Sequence, residues 1–135
     1  MTPAEAADRH DGLKGAALRY LAAMEARDLA AAQAFVAPDA VFVFPGGVQR
    51  RDLAAIVAGS GTRYRRIAKS VERCDLVPDA DNRAVVYVLG TLHGLWPDGA
   101  AFAGIRFIDR FEFREGRIIR QEVWNDSGEA RIARS

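Results

Sequence analysis

Near Arg63 the apolar periodicity of this chain changes from about 3.6 to about 2 residues, and that change restricts the fold more than any other feature of the sequence. Upstream, Leu13, Ala16, Ala17, Tyr20, Leu21 and Met24 recur at helical spacing, with Lys14, Arg19 and Glu25 elsewhere around the wheel, which predicts an amphipathic helix over 11–27. Downstream, alternation predicts strands near 63–77, 83–95, 100–113 and 117–126, separated by turn chemistry. A helical stripe and a strand face each need an apolar partner. Helices followed by an antiparallel meander therefore predict an α+β domain, with the N-terminal helices packed on one face of a curved, mainly antiparallel sheet.

The stretch between these regions is punctuated. Asp28 reads as the N-cap of a short helix from Leu29 to Val36, stopped by Ala37-Pro38-Asp39. A short strand, Val41 to Phe44, runs into the turn Pro45-Gly46-Gly47, and Val48 to Arg50 returns as a second strand. Asp52 then caps a third helix, Leu53 to Ala58, which Gly59-Ser60-Gly61 closes. With 135 residues, half of them apolar, one domain is expected over 11–127, between a flexible N-terminus at 1–10 and a C-terminal tail at 128–135.

Several function classes drop out on composition. A net charge of +1 supplies no field to hold a phosphate polymer, so no nucleic-acid partner is expected. The run Arg63, Tyr64, Arg65, Arg66 reads as a solvated strand face. Cys74 is the one cysteine and the two histidines are far apart, so neither a disulfide nor a metal site is expected. Gly59-Ser60-Gly61 lacks the following lysine of a phosphate loop. Met1 to Asp11 has no apolar signal core, and no run approaches the roughly 18 apolar residues of a membrane span, so no membrane association and a cytoplasmic location are expected.

Loop length sets hairpin register, and register decides which side chains share a face. A three-residue loop, Arg114-Glu115-Gly116, places Phe113 opposite Arg117, Phe111 opposite Ile119, Asp109 opposite Gln121, Phe107 opposite Val123 and Ile105 opposite Asn125. Asp109 is then the one charge on that face. A two-residue loop would add Arg120, Glu122 and Asp126 among the phenylalanines, at the cost of burying charge. In the preceding hairpin the loop Pro97-Asp98-Gly99 brings Val85, Tyr87, Leu89, Thr91 and His93 to the inner face, with Tyr87 opposite Asp109. A bulge would shift that register by one and bring in Val86 and Val88 instead. The outer face would carry Trp124, Ile108 and Ile118 continued by Val86, Val88 and Leu92, an apolar surface suited to a second subunit, with Arg106 stacked on Trp124.

Asp109 between Phe107 and Phe111 is the leading candidate for acid–base chemistry, since a carboxylate among aromatic rings must be hydrogen-bonded or protonated. The alternative is a structural carboxylate satisfied by backbone or by a tyrosine hydroxyl. Tyr20, on the apolar helix face, and His93, near a strand end, are the candidate assistants. Phe44, Tyr87, Phe107, Phe111, Gln121 and Asn125 are the candidate ligand contacts, with Gln121 and Asn125 the uncharged polar groups that orient a carbonyl or hydroxyl.

The segments Tyr20-Leu-Ala-Ala-Met-Glu-Ala-Arg-Asp28, Ala37-Pro-Asp-Ala-Val41, Gly90-Thr-Leu-His-Gly94, Ile108-Asp-Arg-Phe-Glu-Phe-Arg-Glu-Gly-Arg-Ile118 and Val123-Trp-Asn-Asp126 resemble, in order and spacing, the NTF2-like superfamily and within it the SnoaL-like group. The resemblance spans about Leu13 to Asp126. It implies a cone-shaped roll with a pocket inside the cone, frequent homodimers through the outer sheet face, and a small apolar or aromatic ligand handled without a cofactor. Ketosteroid isomerase shares the superfamily and uses a tyrosine and a protonated aspartic acid beside an aspartate base. Laid on this chain, the tyrosine falls on Tyr20, the protonated acid on Asp109 and the base on Phe44. Phenylalanine moves no proton, so steroid isomerisation by that mechanism is not expected. In polyketide cyclases of this fold an aspartate and a histidine are implicated, which here implies Asp109 and His93. The expected function is thus a small-molecule pocket protein, with an isomerase, cyclase or dehydratase as the catalytic form and a non-catalytic binding or dimeric interaction domain as the alternative.

Overall fold

A computed structural model of the chain describes residues 1–134. The elements are α1 (Pro3–Ala7), α2 (Gly12–Glu25), α3 (Leu29–Gln33), β1 (Val36–Phe44), β2 (Val48–Arg50), α4 (Leu53–Arg63), β3 (Arg66–Pro78), β4 (Arg83–Leu95), β5 (Ala101–Arg114), β6 (Arg117–Asn125) and α5 (Ser127–Arg134). The strands form one six-stranded sheet in the order β2-β1-β6-β5-β4-β3, antiparallel except for the β1–β6 pair. The architecture is α+β, with the helices against one face of a sheet bent by bulges.

Local chemistry accounts for most boundaries. Asp28 accepts the Ala31 N–H at 3.1 Å and Asp52 accepts the Ala54 N–H at 2.9 Å, so both serve as the caps read from sequence. Two helix ends differ from expectation. α3 stops at Gln33 because the next backbone groups go to the sheet: Phe35 C=O accepts from Ile118 N–H at 2.9 Å, and Val36 pairs with Ile118. That parallel pairing had no local signature. α4 runs through Gly59 and Gly61 to Arg63, and ends where Tyr64 turns extended and buries itself on Trp96. A glycine inside a helix costs about 1 kcal/mol, which tertiary anchoring at both ends of α4 offsets.

The flanking segments are also structured. α1 sits where a flexible N-terminus is expected, closed by a capping box between Thr2 and Glu5, and Pro3, Ala6 and Ala7 are buried. Where a tail is expected, α5 places Arg131 and Arg134 over the aromatic cluster of Tyr64 and Trp96. Ser135 of that segment lies outside the described residues. Among the described residues no helix is long and apolar enough to cross a membrane.

Both hairpin registers are corrected by bulges. β5 and β6 are joined by a two-residue turn: Arg114 pairs with Arg117, and Glu115 and Gly116 take φ of 51° and 79°, the left-handed pair that matches strand twist. Ile119 then bulges out, between the pairs Phe113–Ile118 and Glu112–Arg120. The bulge reverses the alternation after one residue, so Gln121, Val123 and Asn125 face inward although the loop is the one rejected on charge burial. Phe111 therefore pairs with Gln121, Asp109 with Val123 and Phe107 with Asn125. Ile118, placed on the outer face by sequence, is fully buried.

The β4–β5 hairpin keeps its three-residue loop, but the register slips between Gly94–Phe102 and Leu92–Ile105, where Gly104 adopts a φ of 74°. Beyond that point Val88, not Tyr87, faces Asp109, and Val86, Val88 and Leu92 point into the core. Tyr87, Leu89, Thr91 and His93 alternate to the outer surface.

Candidate functional site

The concave face of the sheet and helices α2 and α4 enclose a cavity of about 210 Å³. Its apolar lining includes Phe44, Ile56, Ile67, Leu92, Phe107 and Val123. β6 contributes Gln121 and Asn125, and α2 contributes Tyr20. Tyr20 is buried by its own helix spacing, stacked near Phe42 at 6.4 Å and edge-on to Phe111 at 5.8 Å. Burial, and secondarily the negative charge of Asp109, push its phenol well above the usual tyrosine value. The hydroxyl therefore stays protonated at neutral pH and is a donor.

Asp109 has no exposed surface. Its Oδ2 accepts from Lys69 Nζ at 2.5 Å, while its Oδ1 is buried without a hydrogen-bond partner among the described residues. Lys69 stands on β3 opposite Leu92 and reaches Asp109 diagonally across β4, with Nζ 4.8 Å from the centre of the Phe107 ring. Gly90, between Val71 and Phe107 in the intervening row, has no side chain to obstruct that path. It also brings the strands close: a Cβ there would fall 1.9 Å from the Ser70 carbonyl oxygen. The Lys69 backbone N–H donates to Glu25 Oε2 at 3.2 Å, tying β3 to the end of α2. A lysine so held keeps two further N–H donors, and its side chain is one-fifth exposed, toward the cavity it lines.

Of the nine candidate residues, Tyr20, Phe44, Phe107, Gln121 and Asn125 line the cavity, and Asp109 is held behind its wall by Lys69. Phe111 is core, packed on Tyr20 and Phe113. Tyr87 and His93 are not brought to the site. Tyr87 lies outside with Arg110, whose Nε donates to its hydroxyl at 3.3 Å, and His93 Nδ1 lies 3.4 Å from Ser70 Oγ. The β4–β5 bulge is the physical reason for both. On the outer face Arg106 pairs with Asp126 at 2.6 Å rather than stacking on Trp124.

Lys69 is the residue that sequence reasoning misses. Its signal is legible in retrospect: Ile67, Lys69 and Val71 alternate on an otherwise apolar strand face, in a chain with two lysines among nineteen basic residues. Among the described residues no group of three His, Cys, Asp or Glu side chains is placed to hold a metal ion.

A six-stranded sheet curled against N-terminal helices, with a cavity between them, is the architecture of NTF2-like proteins, and this chain has that fold. The model of the SnoaL-like domain matches residues 17–121, and the chain belongs to that family. An NTF2-like protein from Burkholderia thailandensis superposes with a TM-score of 0.72 at 19% identity, covering 93% of this chain and 99% of that one. TerC, crystallised with polyporic acid, gives 0.70 at 21% identity, over 86% of this chain and 92% of its own. A candidate polyketide cyclase from Pseudomonas putida gives 0.60 at 20% identity, over 85% and 92%. These likenesses are of fold. No curated protein matches the sequence.

Proposed function

We propose that this protein binds a cyclic, largely apolar, oxygen-bearing molecule in the cavity and carries out cofactor-independent acid–base chemistry on it, of the isomerase, cyclase or dehydratase type. The observation that carries the reading is the Lys69–Asp109 pair set against the wall of a mainly apolar cavity. Lys69 and Tyr20 donate to the ligand's oxygen and stabilise negative charge developing there, where low dielectric strengthens each donor. Asp109 holds Lys69 oriented through their hydrogen bond, and the proton that leaves the ligand's carbon passes to solvent water. Gln121 and Asn125 fix the ligand's orientation. His93, on the outer face, has no part in this scheme. Co-crystallisation of TerC with polyporic acid supports a small organic ligand for this fold.

Exchange of the α-hydrogens of 2-tetralone in deuterated buffer, followed by proton NMR, tests the proposal. Wild-type protein is expected to accelerate exchange over buffer, with Asp109→Asn at least tenfold slower. Identical rates for wild type, Asp109→Asn and buffer would refute the catalytic part. Phe44, an apolar residue lining the cavity, favours a second reading, binding without catalysis; ligand retention with no exchange would select it.

The outer sheet face is the proposed homodimer contact, since Ile108 and Trp124 pair across β5 and β6 and remain 38% and 52% exposed. A monomeric mass by sedimentation at working concentration would contradict it.

A further inference from the structure

The cavity is apolar in its walls and cationic at its boundary. Four basic side chains line it, Lys69, Arg27, Arg50 and Arg63, against a single acidic one, Glu25. Asp109 compensates Lys69 from behind the wall, and Glu25 is engaged with the Lys69 backbone. The three arginines come from separate places, the turn after α2, β2 and the end of α4, so no single helix or loop accounts for their convergence. None of the three is ion-paired with a carboxylate among the described residues, whereas Arg73, Arg106, Arg110, Arg120 and Arg134 all are. A recess with low-dielectric walls and one sign of charge at its rim focuses its field inward and favours a ligand of opposite sign.

We propose that the ligand class is an organic anion: an apolar ring system carrying a carboxylate or an ionised hydroxyl. The anionic group sits on the two free Lys69 donors, and Arg27, Arg50 and Arg63 draw it in. This rests on the reading of the cavity as a small-molecule site and narrows it from any oxygen-bearing molecule to an acid. The cavity volume, about 210 Å³, suits a naphthalene-sized body. A charge-assisted hydrogen bond inside such a recess is stronger than a neutral one, so charge rather than shape separates an acid from its amide.

Isothermal titration with 2-naphthoate and with its uncharged counterpart 2-naphthamide tests this on the wild-type protein. Both probes are expected to bind, naphthoate at least tenfold tighter, with its advantage shrinking as salt is raised. The variant Lys69→Met can fail to fold, because it strands Asp109. The double variant Lys69→Met/Asp109→Asn removes both charges, and the triple variant Arg27→Gln/Arg50→Gln/Arg63→Gln removes the rim. Both are expected to cut the naphthoate advantage over naphthamide several-fold, and the triple variant, whose arginines act on charge alone, is expected to leave naphthamide binding within about twofold. Equal affinity for the two probes, or an advantage that survives both variants, would overturn the anion assignment and leave the pocket reading standing. Binding of neither probe would overturn both.

Discussion

Lys69 Nζ and Asp109 Oδ2 lie 2.5 Å apart, joining the edge strand β3 to the buried centre of β5 across the full width of β4. The pair is a charge buried with its partner, and the two halves differ sharply in what their loss exposes. Lys69→Met leaves an uncompensated carboxylate and is expected to cost about 3 kcal/mol or more, and Asp109→Asn alone less, because Lys69 can turn toward the cavity. The double variant is expected to recover most of the loss, since removing both charges also removes the desolvation cost. Urea unfolding of the four proteins closes the cycle; additive effects in it would refute the coupling.

Gly90→Ala is expected to be among the most damaging single-methyl changes in the sheet. The added Cβ would lie 1.9 Å from the Ser70 carbonyl oxygen, and backbone cannot yield as a side chain tip can. β3 must move away from β4, carrying Lys69 with it. A loss above about 3 kcal/mol, at or beyond the upper range of ordinary overpacking, is the expected result in denaturant titration.

Tyr20 sets an alkaline limit on stability. Its folded pKa is raised above the unfolded value of about 10, so its contribution is complete below that pH and is lost as pH rises above it. The slope approaches about 1.4 kcal/mol per pH unit from this one group. Tyr20→Phe is expected to have a flatter stability profile between about pH 10 and 12 than wild type, measured by thermal unfolding across that range.

The β5–β6 turn offers a test of register. Both central residues of a two-residue turn need left-handed backbone, and Glu115 occupies one of them at a φ of 51°. Asparagine tolerates that conformation better, so Glu115→Asn is expected to stabilise the protein by about 0.5 kcal/mol. A three-residue loop with only Gly116 left-handed would show no gain.

Asp109, Gln121 and Asn125 show how far sequence reached and where it stopped. Their common inward face follows from alternation and from the cost of burying charge, and that inference survives although the loop behind it is wrong. Two errors compensate: the turn is one residue shorter and Ile119 bulges, so the face is recovered while each pairing moves by two residues. In the neighbouring hairpin nothing compensates the bulge at Gly104, and Tyr87 and His93 exchange faces with Val86, Val88 and Leu92. Local sequence marks glycines able to bulge, but the packing of the whole sheet decides which of them do.

The sequence by itself determined the α+β class, the family, the caps at Asp28 and Asp52, the buried positions of Tyr20 and Asp109 and the polar pair on β6, because periodicity, capping and the penalty on buried charge act over a few residues. Only the tertiary structure decided that Lys69 meets Asp109, that β1 lies parallel to β6, and that arginines from three elements gather around one cavity. Those relationships join residues distant in the chain, 40 positions in the case of Lys69 and Asp109, and depend on strand order and bulges that no local pattern specifies.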